Sequence, residues 1–166
     1  MFFGKSYWKT QEQAIQREWL LTNGIGGFAG STIIGMNARR YHGLLVASFN
    51  PPVERFLILS AISESIRFYE PEASPNSAEG SAAEPKPPVF LHSFRTPDFQ
   101  GHGEYFLEGF YHEFIPEFHY RIGTMTITKR VCLCHGMNQV AVVYKVKNQP
   151  DKKAVIRLTP LVNYRN

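Results

Sequence analysis

From residue 125 onward the apolar side chains fall on every second position. Met125, Ile127, Val131 and Leu133 form one series, Val140, Val142, Tyr144 and Val146 a second, and Ala154, Ile156 and Leu158 a third. A period of two belongs to a strand with one face buried and one wet. His135-Gly136-Met137-Asn138 and Asn148-Gln149-Pro150-Asp151 divide the series and are rich in turn residues. The spacing predicts a three-strand antiparallel meander. No stretch of eleven residues carries a helical apolar period. The chain is therefore expected to fold as an all-β antiparallel sandwich.

The N-terminal two thirds of the chain fit that class. Residues 1–16 are polar with scattered aromatics and read as a short lead-in, followed by a strand over Glu18–Thr22. Ser31–Gly35, with Thr32, Ile33 and Ile34, favours extended structure, and Arg39–Phe49 and Arg55–Tyr69 are two longer strand runs parted by Asn50-Pro51-Pro52. Apolar residues occupy both alternating sets of the second run, as in a strand covered on both faces. Residues 71–88 contain five prolines and no large apolar side chain, which predicts a mobile surface loop inserted in the domain. A strand-like pattern resumes at Val89–Arg95.

Composition narrows the chemistry. With 43% hydrophobic and 19% charged residues the chain of 166 can bury a core. Its net charge of +4 is spread over short pairs such as Arg39-Arg40 and Lys152-Lys153, without the concentrated stripe of a nucleic-acid binder. Only Asp98 and Asp151 are aspartates among fourteen acidic residues, a poor supply for calcium or magnesium sites. Cys132 and Cys134 are two apart in a strand, unsuited to bridging one another, and no second cysteine pair completes a zinc site. Free thiols in a reducing compartment are expected. No apolar run has the length of a signal peptide core or a membrane span. The expected setting is cytoplasmic, with no cofactor, metal, nucleic acid or membrane partner.

Candidate motifs are few. Gly24-Ile25-Gly26-Gly27-Phe28-Ala29 matches a dinucleotide fingerprint, yet that fingerprint works only where a helix begins within it. Gly30-Ser31-Thr32-Ile33-Ile34-Gly35 follows instead and forms helix poorly, so the glycines are read as a turn between strands. Glu104, Glu108, Glu113 and Glu117 crowd an aromatic stretch, but spacing places no two of them across a sugar. His112-Glu113 opens a zinc-protease motif that Pro116 ends. The densest polar cluster is Asn37-Ala38-Arg39-Arg40-Tyr41-His42, running into Gly43-Leu44-Leu45-Val46. Alternation would send Arg39 and Tyr41 to one side and Arg40 and His42 to the other. A patch for a hydroxyl-rich ligand or neighbouring domain and a strand start satisfying local carbonyls both fit.

Two segments together, Glu18-Trp19-Leu20-Leu21-Thr22-Asn23-Gly24-Ile25-Gly26-Gly27 and Arg39-Arg40-Tyr41-His42-Gly43-Leu44-Leu45, resemble the N-terminal domain of bacterial and archaeal type glycogen debranching enzymes. Tyr105-Phe106-Leu107-Glu108-Gly109-Phe110, Lys129-Arg130-Val131, His135-Gly136-Met137-Asn138 and Pro160-Leu161-Val162-Asn163-Tyr164-Arg165 extend the likeness in order from residue 17 to the end. The resemblance implies a supersandwich-like β-domain over 17–166, ahead of an α/α-barrel with amylo-α-1,6-glucosidase activity. That barrel would carry the acid and base carboxylates, so no catalytic residue is assigned here. Asn23, Gly24, Gly26, Gly27, Arg39, Arg40, Tyr41 and His42 carry over as motif positions, expected on a surface facing the barrel or its substrate cleft. The chain is expected to be a non-catalytic module; a free-standing α-glucan-binding module and an inert fragment are the alternatives. A sandwich ending near residue 166 is expected to be incomplete, with an uncovered last strand and a tendency to self-associate.

Overall fold

The computed structural model describes residues 1–51, 53–69, 87–94, 100–149 and 153–165. Among them eleven strands run β1 (Phe2–Gly4), β2 (Glu18–Thr22), β3 (Phe28–Thr32), β4 (Gly43–Asn50), β5 (Glu54–Tyr69), β6 (Val89–Phe90), β7 (Leu107–His112), β8 (Pro116–Ile122), β9 (Met125–Leu133), β10 (Val140–Lys147) and β11 (Lys153–Arg165). They form two antiparallel sheets, ordered β1-β7-β8-β9-β10 and β11-β5-β4-β3-β2, with β6 added to β5. The fold is the expected β-sandwich. Its core lies between the sheets, around Trp19, Leu44, Ile66, Phe110, Phe118, Ile127 and Val131.

Residues 1–16 are built into this layer structure. β1 pairs with β7, Trp8 and Ala14 reach the core, and one short helix, α1 (Gln11–Ile15), is capped by Thr10. Among the described residues no helix is long and apolar enough to cross a membrane.

The β9–β10 hairpin follows the apolar alternation, with Val142 opposite Val131 and Tyr144 opposite Lys129. The third strand departs from the expected meander. β11 crosses to the other sheet and pairs with β5 from Lys153 opposite Tyr69 to Arg165 opposite Leu57. The sixteen-residue β5 offers a longer partner than the eight residues of β10. Alternation reports which face is buried and is silent on which sheet buries it.

Three other expectations are corrected. Ile33 and Ile34 lie in a turn beyond β3, where the Thr32 hydroxyl donates to the Met36 carbonyl at 2.8 Å and accepts from the Met36 amide at 3.0 Å. Both isoleucines are buried, so core packing accounts for them. The strand expected from Arg39 begins only at Gly43, and Arg39–Tyr41 form a turn closed by the His42 amide donating to the Arg39 carbonyl at 3.1 Å. The run at Val89–Arg95 forms a strand, among its described residues, only over Val89–Phe90. The loop expected at 71–88 lies outside the described residues, apart from Pro87 and Pro88.

Candidate functional site

The glycine-rich turn is organised by one side chain. Asn23 is fully buried at the end of β2. Its Oδ1 accepts from the amides of Ile25 at 3.1 Å and Gly27 at 2.9 Å, folding the turn back on itself. Its Nδ2 donates to the Met137 carbonyl at 2.9 Å and to Asn138 Oδ1 at 3.3 Å, across to the β9–β10 turn. Asn138 in turn brackets Ser48 of β4, accepting from its amide at 2.9 Å and donating to its carbonyl at 2.6 Å. The Gly136 amide also donates to the Asn23 carbonyl at 2.7 Å. Two distant turns and β4 thus become one unit at this end of the sandwich. Gly24 has φ +81° and faces His135, whose Cε1 would stand 2.5 Å from an added Cβ. At Gly27 an added Cβ would meet Asn23 Nδ2 at 2.5 Å. Gly26, also at positive φ, accepts at its carbonyl from Arg55 Nε at 2.7 Å.

The second motif lies beyond the other end of β3, in the connection to β4. Asn37 accepts from the Ser31 hydroxyl at 2.9 Å and donates to the Ser60 carbonyl at 2.9 Å, fixing the turn to β3 and β5. His42 is buried, and its Nδ1 accepts from the Ala38 amide at 3.0 Å, so Nε2 carries the proton and points to Glu18 Oε2 at 3.6 Å. Burial holds the His42 imidazole below its usual range, opposed by Glu18 and reinforced by Arg39. Arg39 Nε donates to Glu18 Oε1, the chief cause that keeps this carboxyl below its ordinary range. Arg40 and Tyr41 form the exposed crest of the turn, with the guanidinium over the ring at 5.6 Å. Arg165 at the end of β11 donates to the Arg40 carbonyl at 2.6 Å. Beside it, Phe56 and Tyr164 stack at 4.8 Å and Phe49 packs edge-on against both.

The eight motif positions therefore divide into two groups. Asn23, Gly24, Gly26 and Gly27 shape one turn, Arg39 to His42 another, and within them Gly24, Arg39, Arg40 and Tyr41 are exposed. A family model described as the glycogen debranching enzyme N terminal matches residues 17–166, which include both turns. The chain belongs to this family. No curated protein and no solved structure shows a significant match to it.

In this debranching-enzyme N-terminal domain most carboxylates on the strands are engaged. Glu108 takes Arg121 at 2.6 Å, Glu117 takes Arg130 and His119, and Glu18 takes Arg39. Burial pushes the Glu117 carboxyl up, and its Arg130 and His119 partners outweigh that and hold it low. Among the described residues no group of three His, Cys, Asp or Glu could hold a metal ion. Cys132 and Cys134 are free and half-buried.

One further cluster lies outside the eight motif positions. Glu64 of β5 is buried between the sheets and accepts from Lys129 Nζ at 2.5 Å and from the Tyr144 hydroxyl at 2.7 Å. Burial, then the Glu64 charge, raises the Tyr144 phenol far above its usual range, and Tyr120 shifts the same way. A cavity of about 10 Å³ adjoins Glu64, Lys129, Tyr120 and His92, about the space of one water. Its signal in the residue pattern is a flaw in the alternation. Lys129 is the one break in the series Met125, Ile127, Val131, Leu133, and it occupies an inward position.

Proposed function

We propose that the chain is a non-catalytic module of a glycogen debranching enzyme and supports hydrolysis of α-1,6-glucosidic branch stubs by a separate α/α-barrel. The family match supports the enzyme class. The observation that carries the non-catalytic reading is the state of the carboxylates on the strands. Glycoside hydrolysis needs two carboxyl groups facing one bond, one to protonate the leaving oxygen and one to act as base or nucleophile. Here Glu18, Glu108 and Glu117 are neutralised on the surface, and Glu64 is bound to Lys129 inside the core. None of these four is left to act as a paired acid and base.

In this reading the exposed Arg40–Tyr41 crest, with Phe49, Phe56 and Tyr164 beside it, faces the barrel. Asn23 and the glycines hold the turn between β2 and β3 in shape. The free thiols fit a reducing, cytoplasmic setting. The test is glucose release from a branched limit dextrin by a family barrel, with and without the chain. The expected result is no release by the chain alone and faster release by the mixture. R40A or Y41A should reduce the stimulation while leaving the thermal midpoint in place. Release by the chain alone would overturn the reading.

A further inference from the structure

We propose that the cleft between residues 5–12 and the 3-10 turn Gly103–Tyr105 is an α-glucan subsite. The choice of α-linked glucose rests on the debranching reading above; the site itself rests on its geometry. The cleft has a volume of about 390 Å³, within the usual range for small-ligand pockets.

Its floor is an aromatic platform. The Tyr105 ring stacks on His102 with centroids 5.1 Å apart and planes 11° from parallel. Lys5 Nζ donates to the Tyr105 carbonyl at 2.8 Å and ties the platform to the N-terminal segment. Tyr105 remains 67% exposed, so the ring keeps an open face. A rigid aromatic face suits the C–H face of a pyranose, which binds through dispersion and apolar contact.

Beside the platform stands an unmet polar group. The Glu104 side chain is only 9% exposed. Its Oε1 meets His102 Nδ1 at 3.2 Å, whereas Oε2 is buried with no hydrogen-bond partner among the described residues. The Glu104 amide donates to Ser93 Oγ at 3.0 Å, which fixes the backbone at this position. An unsatisfied buried carboxylate oxygen is unfavourable, and a donor that reaches it offsets that cost. His102, 46% exposed at its side chain, keeps Oε1 and the stack on Tyr105, which leaves Oε2 for a ligand hydroxyl.

The charge balance selects the ligand class. Lys5, Lys9 and Glu12 line one wall of the cleft and Glu104 the other. Two positive and two negative groups leave no net field to draw phosphate or a cation. They offer both donors and acceptors beside an aromatic face, which fits a neutral polyhydroxyl chain.

The full chain titrated with maltohexaose, followed by calorimetry and by amide shifts, tests this directly. Saturable binding is expected, with shifts at residues 5–12 and 102–105, and with cellohexaose binding at least about ten-fold weaker. Y105A and E104Q should each weaken maltohexaose binding about ten-fold or more. Tyr105 is exposed enough that its variant should keep the wild-type melting temperature, which guards against misfolding in E104Q. No saturation, unaltered affinity in Y105A, equal binding of cellohexaose, or shifts centred on Phe49, Phe56 and Tyr164 would each overturn the subsite. Lost binding with intact stimulation of a barrel removes the subsite and spares the module reading. Binding without stimulation does the reverse.

Discussion

Asn23 uses its whole hydrogen-bonding capacity, with two amides on Oδ1 and two acceptors on Nδ2. Asn23→Ala leaves the buried Gly27 amide without its Asn23 partner and cuts the tie to Met137. Removing one partner of a buried bond costs about 1–3 kcal/mol, so we expect a loss near the upper end, about 3 kcal/mol, in urea unfolding. Gly24→Ala combines positive φ with a collision at His135, and about 1–3 kcal/mol is expected. Adding His135→Ala should relieve the collision and leave the backbone part, so a double-mutant cycle separates the two. His42 adds a pH dependence. Its imidazole is held low in the folded state by burial against a usual value of 6.5. The unfolded chain therefore binds the proton first, and stability falls as pH drops below about 6.5. His92 and His112, also lowered by burial, contribute in the same direction. His42→Gln should flatten the slope of unfolding free energy between about pH 6.5 and 5. A slope identical to wild type would show that His42 is not a source.

At the scale of elements, the buried link from β5 to β9 and β10 makes the sharpest statement. Lys129→Met leaves Glu64 buried with only the Tyr144 hydroxyl. Breaking such a pair on one side costs about 3–5 kcal/mol, whereas replacing both members by apolar residues is often neutral or stabilising. The double variant Glu64→Leu with Lys129→Met is expected to recover most of the loss in chemical denaturation; additive losses would deny that the pair is the cause. These elements also mark how far the residues alone can speak. β2, β5, β9 and β10 are legible because alternation and turn residues are local, and Lys129 is visible as a break in its own series. Its partner is not, since Glu64 is 65 residues away and only sheet packing brings the two together. The same limit hides the pairing of Asn23 with Asn138 and the crossing of β11, whose apolar period is identical in either sheet. Ile33 and Ile34 mislead for a different reason: burial in a turn and pairing in a strand recruit the same side chains.

The whole molecule has an uneven boundary. Each sheet ends on a strand that shows apolar groups to solvent, Val143 and Val146 on β10 and Val155, Leu158, Val162 and Tyr164 on β11. Val162 is 77% and Tyr164 73% exposed. Among the described residues β11 pairs only with β5, and its other edge carries unpaired backbone groups. An apolar face next to an open edge favours association with another surface. In the proposed enzyme the barrel covers it; in the isolated chain the available surface is another copy. The apparent mass by light scattering should therefore rise with protein concentration. Val162→Lys places a charge on the face and edge together, and should move the chain toward monomer with little change in melting temperature, because the side chain packs against little in the folded state. Addition of a family barrel should do the same to the wild-type chain by occupying the face. A constant monomer mass at high concentration would mean that β11 tolerates solvent on its own, and would remove this face as a ground for barrel contact.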